Sequence, residues 1–371
     1  MKTVMTVFGT RPEAIKMCPL VKELRMQKEL RTTVCVTGQH REMLDRALTV
    51  FGVAPDYDLS VMKTGQTLFD LTAQILLRLP PILDEVRPDL VLLHGDTATA
   101  FATALVCFYR GIAVGHVEAG LRTYDVRAPF PEEFNRRAIS LVAEYHFAPT
   151  THARDRLLSE GIDKRRIYVT GNTAIDALRT TVCADYTHPV IEWAKDSRLV
   201  LLTLHRRESH GACMRRMLRA IRRAVESDGR VKLVCPMHVN PAVREAAEEL
   251  YGCDRIRVIE PLDASDFHNF LARCYFAVTD SGGIQEEAPS LGKPVLVLRD
   301  TTERPEGVAA GTLWLVGTDG DAIEAAFHTL LSDGATYRRM ANAKSPYGDG
   351  YASRRIAEIL TKELLPSDPS I

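Results

Sequence analysis

The stretch Val7–Lys16, VFGTRPEAIK, joins an apolar run to an amphipathic one through a single glycine. The apolar run Thr3–Phe8 predicts a β-strand, and Gly9 allows a tight turn after it. Pro12 suits the first turn of a helix, where a backbone N–H has no intrahelical partner to lose. Arg11 is therefore predicted at a helix start, where free amides and the helix dipole favour a phosphate.

Lys16 lies one turn further along this predicted helix, so two cations flank the turn. A guanidinium can bind a phosphate bidentately, whereas the alternative is an ordinary strand–helix turn with two solvated cations. No Gly-x-Gly-x-x-Gly follows a predicted strand, and no Gly-x-x-x-x-Gly-Lys-Ser/Thr loop is present. Neither a dinucleotide-binding fold nor an ATPase loop is indicated, so this turn is predicted to bind phosphate without a nicotinamide cofactor.

The rest of the chain alternates short apolar runs with longer amphipathic stretches. This pattern is typical of parallel sheets covered by helices on both faces. The first series of predicted strands is Thr3–Phe8, Thr33–Thr37, Asp89–His94, Ile112–Val117 and Arg166–Thr170. The second is Leu199–Leu204, Val231–Cys235, Arg257–Ile259, Phe276–Thr279, Pro294–Leu298 and Leu313–Val316. We therefore predict an α/β protein of two doubly wound, Rossmann-like domains in series.

The crossing between the domains is predicted between Gly171 and Ser197, where the periodicity weakens. Pro189 disfavours a helical conformation at His188, which supports a break in this window. We place the domains at residues 1–172 and 173–349. A final helical pattern, Ala352–Leu364, has no strand partner in the sequence and could pack on either domain.

Composition narrows the classes of ligand and compartment. A chain of 371 residues is long enough for two domains, and its net charge of −1 provides no general attraction to nucleic acid or an anionic membrane. The eight cysteines include no Cys-x-x-Cys pair, which favours free thiols in a reducing compartment. Arg11 and Glu13 interrupt any signal-peptide pattern, and no apolar run spans a membrane. We expect a cytoplasmic protein that binds a small molecule.

A second anion site is predicted in VTDSGGIQEEA, Val278–Ala288. The small residues Ser281, Gly282 and Gly283 stand between a strand and a helix, so their amides are open to a diphosphate. Glu287 follows about one turn later. Its carboxylate could accept both hydroxyls of a ribose, or it could simply complement the dipole of the helix.

Histidine and carboxylate side chains follow other predicted strands. His205 comes directly after the strand Leu199–Leu204, at the end where doubly wound sheets bind ligands. The neighbouring Arg206, Arg207 and Glu208 could instead be a solvated ion-pair cluster.

Three carboxylates of the first half are candidate acids and bases. Asp96 and Glu118 stand just past strand ends, and Glu132 lies where a proline-punctuated loop enters a helix. Glu132 could also be a simple first-turn acid, with Glu133 its helix-internal neighbour. Together with His205 and the two predicted phosphate sites, these acids suggest proton transfer on a phosphorylated or nucleotide-bearing substrate. No ligand set with zinc spacing accompanies His94 and Asp96, so no metal is predicted.

Several long blocks closely resemble the non-hydrolysing UDP-N-acetylglucosamine 2-epimerases of bacteria. The resemblance covers Met1 to about Leu360. It is carried by FGTRPEAIKMCPL, TGQHREML, HGDTATA, GHVEAGLRT, PEEFNRR, TGNTAIDAL, HRRES, DSGGIQEEAPSLGKPVLVLRDTTERPEG and SPYGDG.

The resemblance implies a fold of the glycosyltransferase B type, with the active site in the interdomain cleft and the C-terminal helix, about 350–365, returning to the first domain. It implies reversible interconversion of UDP-N-acetylglucosamine and UDP-N-acetylmannosamine, usually by a homodimer, in the synthesis of surface polysaccharides. No cofactor is implied, because elimination of UDP to 2-acetamidoglucal allows carbon 2 to invert without a nicotinamide.

The resemblance also implies roles for individual residues. Asp96, Glu118 and Glu132 match the acid/base carboxylates, and His205 matches the histidine beside the diphosphate. The residues that match UDP contacts are Arg11, Lys16, Phe267, Ser281, Gly282, Gly283 and Glu287. Those that match an allosteric pocket for a second UDP-N-acetylglucosamine are Gln39, Gln66, Arg206 and His238, each of which could also be an ordinary loop or surface residue.

Two rival classes remain at the level of sequence, together with a variant of the reaction. A retaining glycosyltransferase of the same fold would share the phosphate sites, but it does not need three acids. A sugar-nucleotide sensor would need none of them. The sequence contains no feature that separates a non-hydrolysing epimerase from a hydrolysing one, which releases UDP and free N-acetylmannosamine.

Overall fold

The computed structural model describes residues 1–38, 41–62, 65–238 and 240–365. Contacts between Cα atoms divide the chain into two compact units, Met1–Thr180 together with Tyr347–Ile371, and Thr181–Pro346. The first domain was predicted to end at residue 172, just before the helix Thr173–Thr181, whereas the observed division falls after Thr180, near the end of that helix. The C-terminal segment that returns to the first unit begins at Tyr347, three residues before the predicted start at 350.

The first unit is built on a seven-stranded sheet in which every pair of neighbouring strands is parallel. Its strands are β1 (Lys2–Phe8), β2 (Leu30–Val36), β3 (Tyr57–Asp58), β4 (Leu90–His94), β5 (Ala113–Val117), β6 (Tyr145–Ala148) and β7 (Ile167–Val169). Its helices are α1 (Arg11–Met26), α2 (Arg41–Phe51), α3 (Leu68–Val86), α4 (Ala98–Arg110), α5 (Glu132–Val142), α6 (Thr151–Ser159), α7 (Thr173–Thr181) and α16 (Ala352–Leu364).

The second unit is built on a six-stranded parallel sheet. Its strands are β8 (Arg198–Thr203), β9 (Val231–Pro236), β10 (Ile256–Ile259), β11 (Phe276–Thr279), β12 (Val295–Val297) and β13 (Leu313–Leu315). Its helices are α8 (Pro189–Ala194), α9 (Ala212–Ser227), α10 (Pro241–Ala246), α11 (Ala264–Arg273), α12 (Gly282–Ser290), α13 (Pro305–Ala309), α14 (Gly320–Ser332) and α15 (Gly334–Ala341).

Each sheet is covered on both faces by apolar side chains of helices, as a parallel sheet requires. In the first unit, α1, α2 and α16 pack on one face, where Ile356 and Leu360 of α16 join Val4 and Phe8. Helices α3 and α4 pack on the other face. The C-terminal helix therefore belongs to the first unit through burial of its apolar stripe.

Strand order reverses at one point in each sheet. The orders are β3-β2-β1-β4-β5-β6-β7 and β10-β9-β8-β11-β12-β13, so the reversals fall between β1 and β4 and between β8 and β11. Doubly wound sheets bind ligands at the carboxyl ends of the strands beside such a point. Asp96, His205 and Ser281 lie in the loops that follow three of these strands, and Arg11 begins the helix after β1.

The predicted fold class, two parallel α/β domains, is confirmed, and each of the predicted strands overlaps an observed one. Two strands were missed, Tyr57–Asp58 and Tyr145–Ala148. All eight cysteines are free. Among the described residues, no helix is both long and apolar enough to cross a membrane.

Candidate active site

The β1–α1 turn begins with a capped helix. The Thr10 hydroxyl accepts from the Glu13 amide at 3.4 Å, and the Glu13 carboxylate accepts from the Thr10 amide at 2.9 Å. This capping box leaves Arg11 as the first helical residue, half-buried. We expected Gly9 to be needed for the conformation of the turn, but it is needed because a side chain would have no space there. A Cβ there would lie 1.9 Å from the Thr37 hydroxyl oxygen.

Glu13 also joins two loops of the first unit. Its carboxylate is buried and accepts from the Gly9 amide at 3.1 Å and from the Thr97 hydroxyl at 2.8 Å. Burial raises the pKa of Glu13 above its ordinary value, although these hydrogen bonds oppose the shift. Because Thr97 follows Asp96, Glu13 fixes the loop after β1 to the loop after β4.

Glu118 is the centre of a buried polar cluster. It has a positive φ of 64° at the end of β5, and its side chain is 8% exposed. The carboxylate forms an ion pair with Lys16 of α1 and accepts from the Asn172 side-chain amide at 3.1 Å. His94 Nε2 lies 3.6 Å from the same oxygen. The structure therefore brings the predicted residues Lys16 and Glu118 together.

The histidines around this cluster are uncharged at neutral pH. Burial lowers the pKa of His94 to about 4, although the Glu118 carboxylate opposes that shift. Burial also lowers the pKa of His116 to about 3, and its Nε2 lies 2.7 Å from the Gly95 carbonyl oxygen. Lys16 is therefore the cationic partner of Glu118 in this cluster.

Asp96 lies in the loop after β4 and is held by α5. Its carboxylate forms an ion pair with Arg136, and its carbonyl oxygen accepts from the Asn135 side-chain amide at 2.9 Å. Glu132, the first residue of the same helix, is half-buried. Within the described part of the chain, no hydrogen bond or ion pair involves its side chain.

Sequence reasoning missed four residues of this first-unit group: Glu13, Glu133, Arg136 and Asn172. A signal was available for Glu13, because Thr10-x-x-Glu13 has the spacing of a capping box. Glu133 and Arg136 are spaced i, i+3, which places them on one helix face. Nothing local in the sequence connects Asn172 with Glu118.

In the second unit, the β11–α12 turn presents open backbone amides. Ser281 is the N-cap of α12, and its side chain makes no capping hydrogen bond. Its own amide donates to the Thr279 hydroxyl at 2.9 Å, which fixes the turn. The prediction that this amide is open to a diphosphate is therefore wrong. The first amides of α12, from Gly282 and Gly283, therefore have the arrangement that binds an anion at a helix start.

Asp280 fixes the neighbouring β8 turn from a buried position. Its carboxylate accepts from the amides of His205 and Arg206, each at 2.9 Å, and lies 3.2 Å from His205 Nδ1. Burial would raise the pKa of Asp280, but these contacts, chiefly with His205, hold it below its ordinary value. The His205 ring stacks on that of His238, with centroids 5.4 Å apart. Asp280 is a further residue that sequence reasoning missed.

Two guanidinium groups lie over the start of α12. A Cβ on Gly282 would be 3.7 Å from Nη2 of Arg206 and 3.7 Å from Nη2 of Arg304. Arg206 lies 3.9 Å from Glu303, and its Nε is buried without a hydrogen-bond partner among the described atoms. These positive charges and the helix amides together favour a diphosphate.

Glu287 and Phe267 lie near a buried histidine of α11. Glu287 Oε2 is 3.8 Å from His268 Nε2, and His268 Nδ1 is 2.7 Å from the Thr181 hydroxyl oxygen. Phe267 precedes His268, and their ring centroids are 6.5 Å apart. A carboxylate and a half-buried ring here have the chemistry to contact a ribose and a base.

The predicted effector residues are distributed over both units. Gln66 is half-buried just before α3 in the first unit, whereas Arg206 and His238 lie in the second unit. Partial burial lowers the pKa of His238, and the neighbouring His205 adds to this effect. Gln39 lies outside the described residues.

The described residues contain no group of three or more His, Cys, Asp or Glu side chains that could hold a metal ion. The polar groups of the two candidate sites are carboxylates, the stacked histidines His205 and His238, and several cations. In the first unit Lys16 and Arg136 pair with carboxylates. In the second, Arg206 and Arg304 lie near Gly282 and also pair with Glu303 and Glu286.

The structure is an α/β protein with a group of carboxylates near the strand switch point of one sheet, and with a helix start flanked by two guanidinium groups at that of the other. The sequence profile of the UDP-N-acetylglucosamine 2-epimerase family matches residues 22–361. The chain is 56% identical over 358 residues to UDP-N-acetylglucosamine 2-epimerase of Bacillus subtilis, covering 96% of this chain and 94% of the relative. The chain belongs to the UDP-N-acetylglucosamine 2-epimerase family.

Solved structures agree in fold. The S. aureus protein MnaA, solved with UDP, has a TM-score of 0.91 and 50% identity, and the match covers 100% of this chain and 99% of that one. UDP-GlcNAc 2-epimerase from Neisseria meningitidis, solved with UDP-GlcNAc, has a TM-score of 0.89 and 45% identity, covering 97% and 100%. The glycosyltransferase B type of fold implied by the sequence is confirmed.

Proposed function

We propose that this protein interconverts UDP-N-acetylglucosamine and UDP-N-acetylmannosamine by reversible epimerisation at carbon 2. The observation that carries the proposal is the buried Glu118 carboxylate, paired with Lys16 at the carboxyl end of β5 in a chain of this family. A carboxylate held in this way is suited to proton transfer, and neither a glycosyltransferase nor a sensor needs it.

The reaction that we infer begins with elimination. A carboxylate takes the proton from carbon 2, and the electrons of that C–H bond form a double bond between carbons 1 and 2. The bond from carbon 1 to the diphosphate oxygen breaks, and its electron pair leaves with UDP. The product, 2-acetamidoglucal, is the intermediate.

The return step reverses these changes on the other face. A proton is added to carbon 2 from the opposite side, and the diphosphate oxygen of UDP forms its bond to carbon 1 again. No oxidation occurs overall, so no nicotinamide is needed. We assign Asp96, Glu118 and Glu132 to these proton transfers.

Departing UDP carries the developing negative charge, and stabilising that charge is the largest demand of the reaction. We assign this role to His205 and to the amides of Gly282 and Gly283, with the Ser281 hydroxyl and Arg11 as further diphosphate contacts. The guanidinium groups of Arg206 and Arg304 near Gly282 support an anion there. Glu287 is assigned to the ribose and Phe267 to the uracil.

The proposal includes two properties of the whole protein. We infer a reducing compartment, the cytoplasm, because all eight cysteines are free. We infer a homodimer, which is supported by exposed apolar side chains on α3 and α4, two helices that pack against each other. Phe69 of α3 is 88% exposed, Leu77 of α3 is 71% exposed and Tyr109 of α4 is 73% exposed.

A deuterium experiment tests the reaction. Purified protein is incubated with UDP-N-acetylglucosamine in deuterated water without added nicotinamide, and the products are followed by NMR. We expect UDP-N-acetylmannosamine with deuterium at carbon 2. Retention of the original hydrogen at carbon 2 in single-turnover product would exclude this elimination, and UDP with free N-acetylmannosamine would identify a hydrolysing enzyme instead.

A further inference from the structure

The first turn of α5 contains a buried carboxylate that the proposed chemistry does not use. Glu133 is 0% exposed, and its two oxygens accept from the backbone amides of Thr123 at 2.9 Å and Tyr124 at 3.1 Å. These amides belong to the segment that runs on from Glu118. Tyr124 has a positive φ of 64°, so the carboxylate stabilises a backbone conformation that a tyrosine rarely adopts.

The same turn also holds the loop after β4. Arg136 lies 3.9 Å from Glu133 Oε2 through Nη1, and its Nη2 pairs with the Asp96 carboxylate. Asn135 donates to the Asp96 carbonyl oxygen at 2.9 Å. One helical turn therefore connects the segments that carry Glu118 and Asp96.

We propose that Glu133 is a positioning residue that holds the Glu118 segment and, through Arg136, the Asp96 carboxylate in their reactive arrangement. The inference rests on the proposed function and adds a residue to it. Both oxygens of Glu133 are occupied by backbone amides of the protein, so it acts through its neighbours rather than on the substrate.

A carboxylate is specifically suited to this place. It accepts two amide donors and balances the charge of Arg136, whereas a glutamine amide has one acceptor oxygen and an NH2 group that would face a donor. Glu133→Gln therefore retains the volume of the side chain but removes one acceptor and the charge.

The experiment compares Glu133→Gln with Glu144→Gln, a matched change at an exposed carboxylate two residues past the end of α5. Turnover and KM are measured for both, with UDP affinity by calorimetry. We expect kcat of Glu133→Gln to fall roughly 10- to 100-fold because small misplacements of reacting groups have effects of that order. KM and UDP affinity should stay within about 3-fold, since the removed contacts are not with substrate.

Amide hydrogen exchange gives a readout that does not depend on activity. Exchange in residues 119–128 should be faster in Glu133→Gln than in the wild type or in Glu144→Gln. If Glu133→Gln does not fold, as judged by circular dichroism, Glu133→Asp replaces it and the same loss of kcat and protection is expected. Unchanged kcat or unchanged exchange in the folded variant overturns the inference. An inactive wild type would refute the proposed function instead. The exchange data would still test whether Glu133 holds the segment 119–128 in place.

Discussion

At the scale of single residues, the charge of a side chain has different effects in different surroundings. Asp96→Asn, Glu118→Gln and Glu132→Gln should each lower turnover by roughly 10²-fold or more, because each removes a proton donor or acceptor. UDP binding should survive, since the second-unit contacts remain. Steady-state kinetics and calorimetry measure the two effects.

The matched control is Asp155→Asn. Asp155 also pairs with an arginine, Arg154, but its side chain is 57% exposed. Surface ion pairs contribute little, so turnover should be unchanged. Near-normal turnover in Asp96→Asn, Glu118→Gln or Glu132→Gln would remove that residue from the catalytic set.

Residues that follow strands and residues that hold the backbone differ in how far sequence predicts them. Asp96, Glu118 and His205 were proposed from the sequence because they come one or two residues after strands, where a parallel sheet binds ligands. Glu133 and Asp280 were missed because their partners are backbone amides, which have no signature in the sequence. Such carboxylates can be found only when the fold shows which loop lies beside them.

At the scale of secondary-structure elements, three neighbouring strands carry buried histidines. His116 of β5 pairs in register with His146 of β6, and His94 ends the adjacent strand β4. Burial lowers the pKa of His146 to about 4 and that of His116 to about 3. In the unfolded chain a histidine binds its proton near pH 6.5.

The first unit should therefore lose stability as the pH falls from about 6.5 towards 4, because only the unfolded chain binds these protons in that range. His116→Gln removes one of the groups. Between pH 7.5 and 5 its free energy of unfolding should fall by about 2 kcal/mol less than that of the wild type. Urea denaturation at the two pH values measures this difference, and an unchanged pH dependence would show that His116 does not contribute.

The elements themselves were predictable where apolar runs were long enough. β3 has two residues and β6 has four, Tyr145–Ala148, and β6 follows a helix without a glycine or proline between them. A run this short cannot be separated from the end of the preceding helix by periodicity. Pairing with β5 and β7 decides its conformation, and that information is not local.

At the scale of the whole molecule, the alternation of strands and helices predicted two parallel sheets, whereas only the family resemblance implied the return of the chain to the first unit. The pattern Ala352–Leu364 predicted the helix α16 within its observed bounds. Its partner is set by contacts distant in sequence, since the Asp176 carboxylate of α7 accepts from the Ser353 amide at 2.7 Å. Neither segment contains a signal for the other.

Regulation is also a property of the whole chain, and we further propose, from the family resemblance, that a second UDP-N-acetylglucosamine acts as effector. The residues assigned to it, Gln39, Gln66, Arg206 and His238, come from both units. Arg206 lies near Gly282 and shares Asp280 with His205, so a ligand that orders Arg206 would also order the diphosphate contacts. Such coupling is commonly about 5- to 150-fold in affinity.

We therefore expect that conversion of pure UDP-N-acetylmannosamine alone is slow or shows a lag, and that a small addition of UDP-N-acetylglucosamine starts it.

Gln66→Ala and Arg206→Ala should require more effector than the wild type. The control is Arg244→Ala, which should behave like the wild type because Arg244 is an exposed arginine of the second unit, paired with Glu260. The lag is measured by following the concentrations of the two epimers over time by NMR. Immediate full conversion of pure UDP-N-acetylmannosamine by the wild type would mean that these residues have no regulatory role, because the product that would act as effector is absent at the start.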